Sequence, residues 1–516
     1  MKRFLNKLFS KLVLGAVIII LQFGWFVYLI YGATTANSVA NLCLQIAAVA
    51  LALYVANKDI RTSYKMSWIF LILFLPMFGL PAYFIFGRSG LTRGTRRKFD
   101  EVDRGIQEYL GAEEETEKEI EELDFYAYQQ SRYITVNAKY PLYREEDSQY
   151  YSSGEEAFKQ MLADLETAEK FIFMEYFIVE QGKMFDAVLE ILERKVKQGV
   201  EVRFIYDDVG SIQTLPPKYY NVLREKGIQC VCFNPFRPLM SIIMNNRDHR
   251  KIMVVDGKIA YTGGFNLADE YINEKQKFGH WKDAGIRLTG GCVWSFTAMF
   301  LEMWDFITKS RSDYALYRGA SIPEKKSSEP EVAGAGFVQP YSDSPLDHED
   351  VGENVYLNLI QHAKKYVYIF TPYLIIGSEM KVALANAAKC GVDVRIVVPG
   401  IPDKKMVYLL TQSNFENLIQ AGVKIYKYSP GFIHSKCFVV DDVYATVGTI
   451  NLDYRSLYLH FECGTYMYRT KAVMQVKQDM LDTYEISHEV TLDECQNRRL
   501  VVRMFMGALK LFAPLL

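Results

Sequence analysis

NNRDHRKIMVVDGKIAYTGGFNLADEY, residues 245–271, and FIHSKCFVVDDVYATVGTINLDYRS, residues 432–456, carry one pattern twice. The first holds His249, Lys251 and Asp256 as HxKxxxxD, followed by Gly263, Gly264 and Asn266. The second holds His434, Lys436 and Asp441, followed by Gly448 and Asn451. Side chains alternate across an extended chain, so a His and a Lys two residues apart project to one face, and Ile252 to Val255 read as the strand that carries them. A lone HxK arises by chance, and a single His near a strand is more often structural. Two identical triplets at the same place in two repeats point instead to catalysis in a shared cleft.

The repeat extends outward from the motifs. AEKFIFMEYF from Ala168 answers AKKYVYIFTPY from Ala363, each a helix end running into a continuous apolar strand. KQGVEVRFIYDD, ending at Asp208, answers KCGVDVRIVVPG, ending at Gly400, each a helix, a Gly stop and a second buried strand. GIQCVCFNP around Cys230 answers GVKIYKYSP around Tyr426 and leads into the motifs. Strands alternating with helices imply a parallel or mixed sheet covered on both faces, once per half. The expected fold is α/β, a pseudo-dimer of two lobes.

At 516 residues, half of them hydrophobic, the chain has room for two domains and an anchor. Lys+Arg of 59 against Asp+Glu of 61 gives no bulk field to recruit nucleic acid, so no nucleic-acid partner is expected. Eight scattered cysteines without a CxxC suggest free thiols, neither a disulfide framework nor a zinc site.

Leu12 to Tyr31 is uncharged for a length that matches a bilayer core and reads as a spanning helix. Val39 to Ala56 reads as a second span. Met66 to Phe86 is interrupted by Pro76, Gly79 and Pro81, as a re-entrant or interfacial segment would be. Basic clusters before the first run, after the second and after the third all fit the cytoplasm if only two runs cross. The domains expected are 1–98, membrane anchor; 99–135, acidic spacer; 136–312, first lobe; 313–335, Pro/Ser/Gly-rich linker; 336–497, second lobe; and 498–516, an amphipathic tail. In that tail Arg498, Arg499, Arg503 and Lys510 alternate with large apolar residues, which suits either contact with anionic lipid or closure of the second lobe's core.

The paired triplets resemble the HKD motifs of the phospholipase D superfamily. The surrounding phrases resemble its bacterial cardiolipin synthases: FGRSG, DDVGS at 207–211, RDHRK, HWKDAGIRLTG around Asp283, VQPYSDSPLD at 338–347, TPYLI at Thr371 and NLDYRS. Thr449 stands where Ser is usual, His460 where Asn is usual and Lys282 where Arg is usual. The resemblance implies two phospholipase D-like lobes in a protein of the bacterial plasma membrane, and the apolar runs with their basic clusters make it multi-pass with the lobes in the cytoplasm. It implies a phosphatidyltransferase that moves a phosphatidyl group from one phosphatidylglycerol to another, giving cardiolipin and glycerol without metal or cofactor. A hydrolytic phospholipase D, or a transferase with another donor or acceptor, is the alternative.

A phosphodiester is an anion, so its exchange needs charge neutralisation, a nucleophile and a proton for the leaving alkoxide. By analogy His249 attacks phosphorus and His434 serves as acid, then base. Lys251 and Lys436 supply fixed charge to the non-bridging oxygens, and Asn266 and Asn451 donate amide hydrogen bonds to them. Asp256 and Asp441, on the opposite strand face, organise the site; Gly264 and Gly448 support it, and Glu462 resembles the family's acid that orients a histidine.

Overall fold

The computed structural model describes residue 24 and residues 35–87, 93–111, 114–235, 246–321, 336–347 and 349–515. The chain divides into two compact units, residues 1–91 with 236–245 and 504–516, and residues 92–235 with 246–503.

In the first unit α1 (Thr35–Ala56) is followed by α2 (Thr62–Phe74) and α3 (Pro76–Phe86). A residue before proline is driven out of the helical region. Leu75, at φ −127 and ψ 66, accordingly ends α2, and Pro76 opens α3. Gly79 lets the two helices close, since a Cβ there would lie 2.5 Å from the Leu71 carbonyl oxygen. Ala48, Ala52, Val55, Trp68, Leu71, Ile72, Ala82 and Tyr83 form the core, with Trp68 edge-on to Tyr83 at 5.2 Å. The third apolar run is therefore broken at Pro76, whereas Gly79 and Pro81, expected to interrupt it too, lie inside α3. The first run, Leu12 to Tyr31, lies outside the described residues apart from Gly24. Among the described residues no helix is long and apolar enough to cross a membrane, so the expected multi-pass anchor is not found among them.

The second unit holds both lobes. The first is built from β1 (Asp147–Tyr151), α4 (Gly154–Glu166), β2 (Phe171–Tyr176), α5 (Lys183–Lys197), β3 (Glu201–Asp207), β4 (Gln229–Phe233), β5 (Arg247–Asp248), β6 (Ile252–Val255), β7 (Ile259–Gly263), β8 (His280–Lys282), β9 (Gly285–Thr289) and α6 (Val293–Thr308). The second is built from β10 (Phe337–Asp343), α7 (Val351–His362), β11 (Tyr366–Phe370), α8 (Ser378–Lys389), β12 (Asp393–Pro399), β13 (Lys424–Tyr428), β14 (Gly431–Ile433), β15 (Cys437–Val440), β16 (Tyr444–Gly448), β17 (His460–Tyr468) and α9 (Lys471–Glu485).

The first sheet runs β1-β9-β7-β6-β2-β3-β4, and the second runs β10-β17-β16-β15-β11-β12-β13 between two short edge strands. Strand for strand the orders are equivalent. In each, the two strands leading away from the centre are parallel and the motif strands antiparallel. Every residue of β2 and β11 is buried, the signature of a central strand covered on both faces. The apolar helix α6 lies against β2 and β6 of one sheet and β10 of the other, between the lobes.

The lobes also exchange strands. β5 pairs in parallel with β17, Arg247 opposite His460 and Asp248 opposite Phe461. β14 pairs in parallel with β8, Phe432 opposite Trp281 and Ile433 opposite Lys282. Along the stretch expected to be an acidic spacer run helices Arg93–Leu110, Glu114–Leu123 and Phe125–Tyr133. The first is pinned by buried Phe99, Ile106 and Leu110, with Phe99 5.3 Å from the ring of Phe306 and 5.5 Å from that of Phe461. Within the expected linker, Tyr314–Ser321 is helical and residues 322–335 lie outside the described residues.

Candidate active site

His249 and Lys251 sit in the extended link between β5 and β6, one step before the strand expected to carry them, and His434 and Lys436 sit likewise between β14 and β15. The exchanged strands set their place: the His249 N–H donates to the Phe461 carbonyl at 2.9 Å, and the His434 N–H to the Lys282 carbonyl at 2.7 Å. Each histidine is thus hung from the opposite lobe.

The same crossing supplies their carboxylates. Glu462 of the second lobe places its two oxygens 2.9 and 3.0 Å from His249 Nδ1. Asp283 of the first lobe places Oδ2 2.7 Å from His434 Nδ1. A carboxylate at Nδ1 fixes the ring and leaves Nε2 for chemistry. Glu462 also accepts from the Thr449 hydroxyl at 2.5 Å, a bond that the usual Ser could equally make. Asp283 accepts from the Ala284 N–H at 2.9 Å and from Trp281 Nε1 at 3.4 Å. Glu462 is fully buried.

Each lysine folds back on its own motif, Lys251 Nζ donating to the His249 carbonyl at 2.5 Å and Lys436 Nζ to the His434 carbonyl. Burial without full compensation weakens their hold on a proton, bringing Lys251 down to about 8 and Lys436 to about 7. Burial, then Lys251, holds His249 well below the usual histidine range. Burial, then Lys436, brings His434 down to about 4 against the pull of Asp283. The two acids differ. Burial raises Glu462 to about 8, whereas for Asp283 burial is outweighed by His434 and Lys436, which keep it below the usual carboxylate range.

The remaining expected residues divide by position. Asp256 accepts the backbone N–H groups of Glu169, Lys170 and Phe171 at 2.8, 2.7 and 2.8 Å, clamping the start of β2. Asp441 does the same for Lys364, Lys365 and Tyr366 at 2.6, 2.8 and 2.8 Å. Both turn residues have positive φ, 53 and 54. They organise the strands and lie at the far end of β6 and β15 from the histidines. Asn266 is engaged twice, accepting from the Ile178 N–H at 2.9 Å and donating to the Tyr271 hydroxyl at 2.6 Å. Asn451 Oδ1, in contrast, is buried without a hydrogen-bond partner among the described residues.

Gly264 is demanded by Asp283: a Cβ would lie 1.9 Å from its Oδ1 and 3.0 Å from the His434 carbonyl oxygen. At Gly448 a Cβ would lie 2.4 Å from the Cys463 carbonyl oxygen, so the glycine lets β16 close on β17. Two residues were named in the sequence but given no role there. Asp283 appeared only inside a quoted phrase, although the acid-small-Gly run Asp283-Ala284-Gly285 answers Glu462-Cys463-Gly464 in the repeat. His460, its ring 5.6 Å from that of His249, is buried with neither nitrogen hydrogen-bonded among the described residues.

Two imidazoles held by crossed carboxylates, with two buried ammonium groups, define a two-motif enzyme of phosphodiester exchange on a phospholipase D fold. Residues 161–278 and 356–483 match the family described as cardiolipin synthase, phospholipase D-like domain, and residues 46–88 match phospholipase D-nuclease N-terminal. A cardiolipin synthase of Staphylococcus aureus is 34% identical over 457 residues, 87% of this chain and 91% of that protein. One of Alkalihalophilus pseudofirmus is 31% identical over 475 residues, 92% of each. The crystal structure of phosphatidylserine synthase from Haemophilus influenzae shares the fold, with a TM-score of 0.57 at 16% identity, covering 75% of this chain and all of that one. The chain belongs to the bacterial cardiolipin synthases of the phospholipase D superfamily, which makes it a phosphatidyltransferase.

Proposed function

We propose that the protein makes cardiolipin from two molecules of phosphatidylglycerol, releasing glycerol. The observation that carries this reading is the crossed pairing of His249 with Glu462 and His434 with Asp283 beside Lys251 and Lys436, in a chain of this family. His249 Nε2 attacks phosphorus, the glycerol oxygen leaves with a proton from His434, and a phosphatidyl-histidine remains. His434 then takes the proton of the incoming hydroxyl, whose oxygen displaces His249. Ionised Asp283 suits His434 to this double duty because it stabilises the imidazolium that an acid must be. A phosphodiester entering beside the two lysines raises both imidazoles and makes the protonated form accessible. Lys251, Lys436 and the carboxamide of Asn451 bear on the non-bridging oxygens.

The lobes work at a membrane in this reading. On α1 the exposed residues Val39, Leu42, Ile46, Val49 and Leu53 recur at three- and four-residue steps, a continuous apolar stripe. A further helix, α10 (Leu500–Phe512), buries Met506 and Leu509 and exposes Leu500, Val501, Met504, Phe505 and Leu511, with Arg499, Arg503 and Lys510 alongside. Such a helix suits the interface of an anionic bilayer. The plasma membrane, with the lobes on the cytoplasmic side, follows from the basic clusters that flank the apolar runs.

Purified protein given only phosphatidylglycerol is expected to yield cardiolipin and glycerol in equal amounts. Phosphatidic acid as the dominant product would make the enzyme a hydrolase instead.

A further inference from the structure

The pseudo-twofold symmetry of the site is broken at several matched positions, and one pair stands beside the two histidines. Trp281, two residues before Asp283, packs its ring 5.2 Å from that of His434. At the matched place, two residues before Glu462, stands His460, its ring 5.6 Å from that of His249. The tryptophan donates its N–H to Asp283, whereas both nitrogens of His460 lack a hydrogen-bond partner among the described residues although the side chain is nine-tenths buried. A buried imidazole without a partner is costly unless something else satisfies it. Glu462 Oε1 is 2.9 Å from His249 Nδ1 and 3.8 Å from His460 Nδ1. One ligand atom from each of the three residues falls within a span of 4.8 Å.

We propose that His249, His460 and Glu462 form an inhibitory site for a divalent transition metal, with Zn2+ the typical occupant. Two imidazoles and one carboxylate are an established open ligand set for zinc, and tetrahedral bonds of about 2.1 Å hold ligand atoms about 3.4 Å apart. The observed separations bracket that value, so small ring rotations complete the set. The fourth position stays open to solvent or to a phosphate oxygen. The other half of the site has Trp281 where the third ligand would be, so the site is single.

Inhibition follows from the chemistry of one nitrogen. A metal on His249 Nδ1 takes the place of the hydrogen bond to Glu462 and confines the ring proton to Nε2. The Nε2 lone pair that attacks phosphorus is then occupied. The cations around His460, namely Arg455, Arg247, Lys251 and Lys404, oppose any ion held by charge alone. Ions bound through imidazole, such as Zn2+, overcome that opposition, whereas Mg2+ and Ca2+, which prefer oxygen ligands, do not.

The test uses the full chain in detergent, freed of metal by a chelator. Zinc content by mass spectrometry and affinity by competition with a chromophoric chelator are measured together with lipid turnover. One Zn2+ per chain is expected, with turnover lost in proportion to occupancy and restored by chelator, and with no effect of Mg2+ or Ca2+ at the same concentration. His460→Asn is expected to weaken zinc binding by more than about tenfold, the loss seen even for outer partners of a metal site. Co2+ gives a readout independent of any variant, an intense visible absorption from the tetrahedral site that Zn2+ bleaches. The proposal is overturned if the parent protein binds no stoichiometric zinc, if zinc binds without slowing turnover, or if His460→Asn binds it equally well. Turnover is followed as loss of phosphatidylglycerol, so an enzyme that made phosphatidic acid would refute the synthase reading and leave this test intact.

Discussion

Replacing Asp283 with Asn removes one charge and keeps the shape, which isolates what the crossed carboxylate contributes. Asn can still accept from the Ala284 N–H, 2.9 Å from Oδ1 in the parent, but it presents no charge to His434 Nδ1, now 2.7 Å from Oδ2. With charge centres roughly 4 Å apart and an effective dielectric of about 20, the lost attraction for an imidazolium is about 4 kcal/mol. At about 1.4 kcal/mol per factor of ten, that is a fall of about 10³ in kcat with phosphatidylglycerol. The assay is cardiolipin formation in mixed micelles at saturating lipid, with thermal unfolding measured beside it to establish that the variant is folded. A second donor separates the two half-reactions. A phosphatidyl p-nitrophenol leaves without needing a proton, so Asp283→Asn should release one equivalent of nitrophenolate per enzyme quickly and then turn over slowly. A variant within tenfold of the parent rate on phosphatidylglycerol would refute the role of Asp283. A folded variant that shows no burst with the activated donor would refute the assignment of His249 as nucleophile.

Asp256→Asn keeps the left-handed turn, which Asn tolerates, and removes part of the acceptor for three backbone N–H groups. It should cost about 1–3 kcal/mol of stability in a denaturant titration and leave kcat of the folded fraction within a few-fold. Gly264→Ala drives a methyl group into the Asp283 carboxylate and should reduce kcat about as far as Asp283→Asn does, whereas Gly507→Ala, with nothing within 4 Å, should leave it unchanged. The pH profile of kcat/KM reports the free enzyme. Since Lys251 and Lys436 are lowered to about 8 and about 7 and act only when protonated, kcat/KM should fall as pH rises through that range. Lys436→Arg, which cannot lose its proton, should retain activity farther into alkali if charge is what the position supplies, and an unshifted profile would count against that role.

Much of this architecture can be read in the chain because the repeat is written in local patterns. The apolar runs FIFMEY and YVYIF, each followed by a helix and a second apolar strand, predict the two sheets, and they occupy equivalent places. Pro76 predicts the break in the third apolar run because proline acts on its immediate neighbour. Long-range partnerships are harder. The acidic stretch after residue 99 looks solvated by composition, yet Phe99, Ile106 and Leu110 form one buried face. Asn266, expected as a phosphate donor, already accepts from Ile178 and gives one amide hydrogen to Tyr271, contacts its place past the motif does not announce. The lobe-crossing pairs join residues 213 and 151 positions apart, with no periodicity to announce them. Only the alignment of one half on the other, with Asp283-Ala284-Gly285 against Glu462-Cys463-Gly464, singles them out.

The crossing also explains why both lobes must stay in one assembly while their sequences drift apart. His249 hangs from a carbonyl and a carboxylate of the second lobe, and His434 from a carbonyl and a carboxylate of the first. Separating the lobes would therefore release both histidines at once. Duplication within one chain removes the need for the halves to be identical, and the matched positions have diverged. Asp283 answers Glu462, Gly264 answers Thr449, Trp281 answers His460 and Arg247 answers Phe432. A symmetric site would present two interchangeable histidines to an asymmetric substrate. Here one is backed by an acid held below its ordinary range beside aromatic rings, and the other by an acid raised by burial beside a further histidine. In the proposed mechanism the two roles, which differ only in when a proton is held, are separated by that difference in charge. The electrostatics of the pairs, more than the motif they share, distinguish one histidine from the other.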